Sequence, residues 1–293
     1  YNSAFLRHDE DRRRKFLSSL EKGETKINAS TLFPHDIVSK YTNGGWSVSV
    51  KGLDQTLEAL WKSLPDTVNG CGNTIVVADG SGSMTTSVSG KVSALDVANA
   101  LAIYFAERSS GQFKDKYITF SERPQLVDLS RGKSLRDKIK IALSHDEVAN
   151  TNIEAVFDLI LDTAIENHMS QDDIPQNILI ISDMEFDGCA VSNSYCRGYR
   201  RANRGVDSRL FQIISQRYED AGYKLPRLVF WNVNSRTGAI PVIENDLGVA
   251  LVSGFSTNIV KMVMSGQTDP YECLLETLNT ERYAPIEEAL KGL

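Results

Sequence analysis

Residues 79–88 of the 293-residue chain read DGSGSMTTSV and follow the apolar run NTIVVA directly. Asp79, Ser81 and Ser83 alternate, so a turning loop can aim all three side chains at one point. Carboxylates and hydroxyls are hard oxygen donors, suited to Mg²⁺ or Mn²⁺ rather than to zinc. Two of the three are neutral, so a bound cation would keep net positive charge and accept an acidic group from a partner. Two other chemistries compete for the same stretch. A phosphate-cradling loop needs G-x-x-x-x-G-K-[ST]; SGK stands at 89–91, but position 85 is Thr and Val92 follows the lysine. A hydrolase elbow needs Gly-x-Ser-x-Gly and a histidine relay; residues 79–83 lack the flanking glycines, and nothing singles out His145 or His168. Asp, Gly and Ser are also the commonest turn and helix-capping residues, a reading the triplet alone does not exclude.

The elements around the motif must position it. NTIVVAD, ending on Asp79, and PQNILIISD, ending on Asp183, are continuous apolar runs, as expected of strands buried on both faces. DKYITFS, PQLVDL, PRLVFWNV and GVALVSGF supply further strands. Between and around them lie helical patterns in SALDVANALAIYFAERSS with Ser93 as N-cap, SLRDKIKIAL, TNIEAVFDLILDTAIENH and SRLFQIISQRYEDAG, with two more over 256–264 and 270–279. Strands alternating with helices predict a three-layer, doubly wound, mostly parallel α/β sheet. Upstream, the pattern is helical: a charged amphipathic stretch over 5–21, a short helix opened by Pro34, and DQTLEALWKSLPD capped by Asp54. Residues 1–67 therefore read as a helical segment, the tail of an upstream helical domain, and 68–293 as the α/β domain. In open sheets of this class ligands bind at the carboxyl ends of the strands, where Asp79 and Asp183 both fall.

Composition bounds the function classes. A net charge of −6 argues against a globally nucleic-acid-coating protein. No apolar stretch approaches the ~18 residues of a membrane span, so no membrane partner is expected. The four cysteines have no C-x-x-C pair and read as reduced thiols of a cytoplasmic protein. The first residue is not Met, as in a fragment or a processed product.

Asp-x-Ser-x-Ser after the first strand, a threonine opening a later helix and an aspartate ending a later strand together resemble the metal-ion-dependent adhesion site of von Willebrand factor A domains. The matching positions are Asp79, Ser81, Ser83, Thr151 in NTNIEAVFDLIL and Asp183 in LIISDMEF. The resemblance implies that Ser81 and Ser83 ligate the cation directly, Thr151 directly or through water, and that Asp79 and Asp183 hold it and orient the hydroxyls. It also implies an open coordination position for a partner's Asp or Glu, with Mg²⁺, Mn²⁺ or Ca²⁺ as the ion. The segments LVFWNVNSR, GVALVSGFSTNIVKMVM and GETKINASTLFPHDIV further resemble the A-domain half of TROVE-like proteins, relatives of the Ro ribonucleoprotein. In that family a ring of helical repeats precedes the A domain, and in Ro itself the ring binds small non-coding RNA; the resemblance covers all of the A domain here but only the tail of the helical part.

Other residues carry weaker signals. Arg197, Tyr199, Arg200, Arg201 and Arg204 in CRGYRRANRG form a basic-aromatic cluster that fits phosphate and base contact, or simply a charged surface loop. Thr151, Asp79 and Ser81 could instead be caps. Glu185 and Asp187 read as loop carboxylates near the same edge, Asp96 as a solvated or helix-start charge, and Val229, Phe230 and Trp231 as strand core. The expectation is a non-enzymatic, cation-dependent protein-binding module, a scaffold or subunit of an intracellular complex. A Ro-like RNA-binding component is the alternative, and an enzyme using the same cation lacks a recognisable base or nucleophile.

Overall fold

The apolar run before the motif forms β1 (Thr74–Asp79), with all six residues buried, and it lies inside the sheet, third from one edge. The computed structural model describes residues 7–42, 49–68, 73–146, 152–183, 208–234, 242–244, 250–254, 270–279 and 283–290. Within them the other strands are β2 (Ser87–Ser89), β3 (Val92–Ser93), β4 (Lys116–Phe120), β5 (Leu126–Asp128), β6 (Asn177–Ser182), β7 (Arg227–Asn232), β8 (Val242–Glu244) and β9 (Ala250–Ser253). The helices are α1 (Glu10–Glu21), α2 (Pro34–Tyr41), α3 (Gln55–Lys62), α4 (Ala94–Arg108), α5 (Leu135–Ser144), α6 (Ile153–Glu166), α7 (Ser208–Asp220), α8 (Pro270–Leu278) and α9 (Ala284–Leu290).

Seven strands form one sheet in the order β5-β4-β1-β6-β7-β9-β8. The five inner strands are parallel, and β5 and β8 add antiparallel edges. From β1 the chain winds out to β4 and β5, then returns to β6 on the other flank and winds the opposite way. The gap between the carboxyl ends of β1 and β6 is thus the switch point of a doubly wound sheet, where the crossovers diverge and leave a crevice. The expected three-layer, mostly parallel α/β fold with an N-terminal helical segment is what the chain adopts.

Strand parity splits the core in two. Ile75, Val77, Ile178 and Ile180 pack with Val156, Phe157 and Ile160 of α6 and Ile214 and Tyr218 of α7. Val76, Ala78, Leu179 and Ile181 pack with α4 and with Leu135 and Ile139 of α5. Helix α4 opens on a reciprocal cap, in which Ser93 Oγ accepts from the Asp96 N–H and Asp96 accepts from the Ser93 N–H. Its residues 94–106 are all buried. A helix buried all round needs cover on both sides. The sheet supplies one; Ile37, Val38 and Tyr41 of α2 and Trp61 of α3 supply the other, in the same core. Polar contacts lock the segments together. The Trp61 indole donates to Glu107 (2.8 Å), and Thr42 Oγ1 donates to Asp96 (2.6 Å). Glu58 accepts from the Leu135 and Arg136 N–H groups (2.8 and 3.2 Å) and so caps α5 from a distant part of the chain.

Several sequence expectations are corrected. Asp96 starts a helix as expected, but it is buried rather than solvated, because the α2 cover closes over it. The SGK tripeptide, which already departs from the phosphate-loop pattern, spans the turn of the β2–β3 ribbon with Gly90 in the left-handed region (φ +56°), so a strand and not a helix follows the lysine directly. β8 and α9 add to the expected elements. The helix expected over 256–264 lies outside the described residues. Val229, Phe230 and Trp231 are core strand residues, as expected.

Candidate functional site

At the end of β1 the backbone turns through Gly80 into a single 3-10 turn, Gly82–Thr85. Asp79 is 3% exposed, and both of its oxygens are engaged: Oδ1 accepts from the Ser81 N–H (2.9 Å) and Oδ2 from Ser182 Oγ (2.6 Å). The Ser182 bond follows from register, since Ala78 pairs with Ile181 and the next positions bring Asp79 beside Ser182. Burial pushes the Asp79 carboxyl above its ordinary range. Its bonds to Ser182 and Ser81 oppose that rise, and the nearby Asp183 adds to it. Asp183, one residue past β6 and 6% exposed, thus faces Asp79 across the switch point.

Ser81 Oγ and Ser83 Oγ lie 3.0 Å apart. Ser81 is the N-cap residue of the 3-10 turn, but its side chain makes no capping bond, so the capping role weighed for it is not filled. The loop is held in place by backbone: Met84 N–H bonds Ser81 O, Thr86 N–H bonds Ser83 O, and Ala94 N–H returns to Thr86 O. Met84, fully buried beneath the turn, anchors it. Asn234, beyond β7, donates to Thr86 Oγ1 (3.1 Å) and ties a third loop to this edge.

The structure therefore brings Asp79, Ser81, Ser83 and Asp183 to one edge. Thr151 lies outside the described residues, but the cap of α6 is its neighbour Asn152, whose side chain accepts from the Ala155 N–H (3.1 Å). Arg197, Tyr199, Arg200, Arg201 and Arg204, with Glu185 and Asp187, also lie outside the described residues. Among the described residues no group of three or more His, Cys, Asp or Glu side chains is placed to hold a metal. A donor set built on hydroxyls with two carboxylates is a different kind of set, all hard oxygen, and it fits a divalent cation of the Mg²⁺ type.

One carboxylate at this edge was missed in the sequence. Asp146, in the loop after α5, lies against the motif: a Cβ built on Gly80 would sit 2.9 Å from Asp146 Cα and 3.1 Å from its Oδ1. Only glycine allows that approach. Asp146 Oδ2 accepts from Asn99 Nδ2 of α4 (3.3 Å). Burial pushes its carboxyl up to about 7, with Asp79 adding to the rise and Asn99 and His145 opposing it. The only sequence signal was an aspartate five residues before Thr151.

Comparisons with known proteins place the chain. Residues 1–74 match the family described as Domain of unknown function (DUF2828). The chain is 31% identical over 277 residues to uncharacterized protein L728 of Acanthamoeba polyphaga mimivirus, covering 93% of this chain and 44% of that protein. It thus spans less than half the length of that curated relative. Among solved structures it is similar to the Deinococcus radiodurans Ro (RSR) protein at 12% identity and a TM-score of 0.47, covering 89% of this chain and 49% of that one. It is also similar to proximal thread matrix protein 1 of the mussel byssus at 10% identity and a TM-score of 0.35, covering 68% of this chain and 47% of that one. One form of the mussel protein has a zinc-occupied MIDAS motif. Among the described residues no helix is long and apolar enough to cross a membrane. The whole α/β unit that carries the serine loop, its sheet and the flanking helices falls within the match over residues 73–287, and the chain belongs to the family described as Domain of unknown function (DUF7788).

Proposed function

We propose that the chain is a divalent-cation-dependent protein-binding module, non-enzymatic, in which Asp79, Ser81, Ser83, Thr151 and Asp183 hold the ion. The observation that carries this reading is the Ser81–Ser83 hydroxyl pair, 3.0 Å apart beside Asp79 at the switch point of the sheet. The ion supplies a Lewis-acidic position for an oxygen ligand from outside. The chain's own residues do the rest. Asp79 fixes the loop through the Ser81 N–H, and Ser182 fixes Asp79. The serines are neutral oxygen donors and weaker ligands than carboxylates, so an ion held through them would stay Lewis acidic toward an outside oxygen, which suits a partner offering Asp or Glu. Mg²⁺ is the expected ion, with Mn²⁺ or Ca²⁺ as substitutes.

The test is a calorimetric titration of Mg²⁺ into the wild-type chain and into Ser81→Ala/Ser83→Ala. The double variant removes two hydroxyls at partly exposed positions and leaves the core intact. Loss of the binding heat in that variant is the expected result. An unchanged titration would overturn the reading.

A further inference from the structure

Asp146 lies outside the five-residue set, and its two oxygens face different things. Oδ1 is turned to the motif loop, where the missing side chain of Gly80 leaves room for it. Oδ2 is turned inward, to the amide of Asn99. Around that inner side are buried polar atoms without a hydrogen-bond partner: Asn99 Oδ1 and Tyr117 Oη, on side chains 2% and 1% exposed. Tyr117 stands in the field of Asp146. Native interiors rarely leave such atoms unsatisfied, and ordered water is their usual partner. A carboxylate flanked by amide and hydroxyl groups that call for water, with its other oxygen on a cation-type loop, is placed to act on an ion through water.

We infer that Asp146 is a sixth residue of the cation site, a carboxylate that acts on the ion through water and is held in position by Asn99. This rests on the cation reading proposed above. Asp79 lies close enough to disfavour charge on Asp146, so the two carboxylates share one stretch of this edge. Outer carboxylates of this kind typically set metal affinity by about 10- to 100-fold. Asp146 is a positioning and charge-supplying residue, and its role is separable from structural support of the loop.

The experiment measures Mg²⁺ affinity by calorimetry, and melting temperature in EDTA, for wild type, Asp146→Asn, Asp146→Glu and Ser81→Ala/Ser83→Ala. Asp146→Asn keeps the size and the acceptor for Asn99, removes the charge and turns the loop-facing acceptor into a donor. The expected result is an affinity about 10-fold weaker or more, with a melting temperature in EDTA equal to or above wild type. Asp146→Glu should regain most of the loss. A lower melting temperature in EDTA with unchanged Mg²⁺ affinity would mean a purely structural anchor and would overturn the inference. If the serine variant loses binding while Asp146→Asn does not, the inference falls and the cation reading stands. If wild type takes up no Mg²⁺, both fall. Should Asp146→Asn not fold, Asn99→Ala, which removes the anchor but keeps the carboxylate, is expected to weaken Mg²⁺ affinity; unchanged affinity there would overturn the inference equally.

Discussion

Replacing Gly80 by alanine tests the contact between the motif loop and the Asp146 loop most directly. The added methyl would lie 2.9 Å from a backbone carbon, Asp146 Cα, and 3.1 and 3.2 Å from Asp146 Oδ1 and Cβ. The nearest atom is main chain, so no rotamer change relieves it and one loop must move. Such overpacking typically costs about 1–3 kcal/mol. Alanine also restricts the unfolded chain, which offsets roughly 0.4–1 kcal/mol. The net expectation is a destabilisation of about 1–2 kcal/mol. For 293 residues the unfolding entropy is about 0.6 kcal/mol/K, so the melting temperature should fall by roughly 2–3 °C. Urea titration in EDTA measures the free energy, and calorimetry the shift. In an Asp146→Gly background two of the three nearest atoms are gone, and the Gly80→Ala cost should shrink, giving a coupling of at least about 0.5 kcal/mol. A Gly80→Ala chain as stable as wild type, with no coupling to position 146, would refute the seating of one loop on the other.

Other outcomes follow from the same geometry. Asp146 has a folded value near 7 against an ordinary 3.8, so the folded state binds a proton that the unfolded state has released, and stability should fall as pH rises from about 4 to 7. The ceiling is about 4 kcal/mol, and Asp146→Asn should flatten the slope in urea titrations run across that range without divalent ions. Asp79 acts in the same direction. Glu58→Ala removes the acceptor for the first N–H groups of α5 and for the Tyr41 hydroxyl, and should cost about 2–3 kcal/mol by urea unfolding, whereas Glu58→Gln should cost less. If the arginine cluster contacts RNA, Arg200→Ala/Arg201→Ala should weaken salt-dependent binding of a small RNA in a filter assay; no binding by wild type at low salt would remove that alternative.

The sheet was legible because its parallel strands are buried on both faces, and unbroken runs such as TIVVA and ILII mark that burial. Helix starts were legible where a polar side chain caps its own helix, as with Ser93 and Asp54. What stayed hidden depends on contacts between distant segments. Asp146 meets Gly80 across 66 residues, and no local pattern marks a glycine chosen for another chain segment's approach. The β2–β3 ribbon reads as loop because SVSGKVS is polar and short, and its strands join only through the positive φ at Gly90. Nothing in its own segment marks Glu58, because its work is done on a helix 77 residues away.

That distant cap has a consequence for where the chain can be cut. The two family matches meet at residues 73–74, so inheritance draws a line there. Folding draws none: severing the chain at that line would strip α4 of Ile37, Tyr41 and Trp61 and leave the first amides of α5 without Glu58. A piece starting at residue 73 would carry every serine and aspartate of the motif loop on a body whose back is open to water. The smallest portion worth expressing for cation work begins before Pro34, with the helices that close that back.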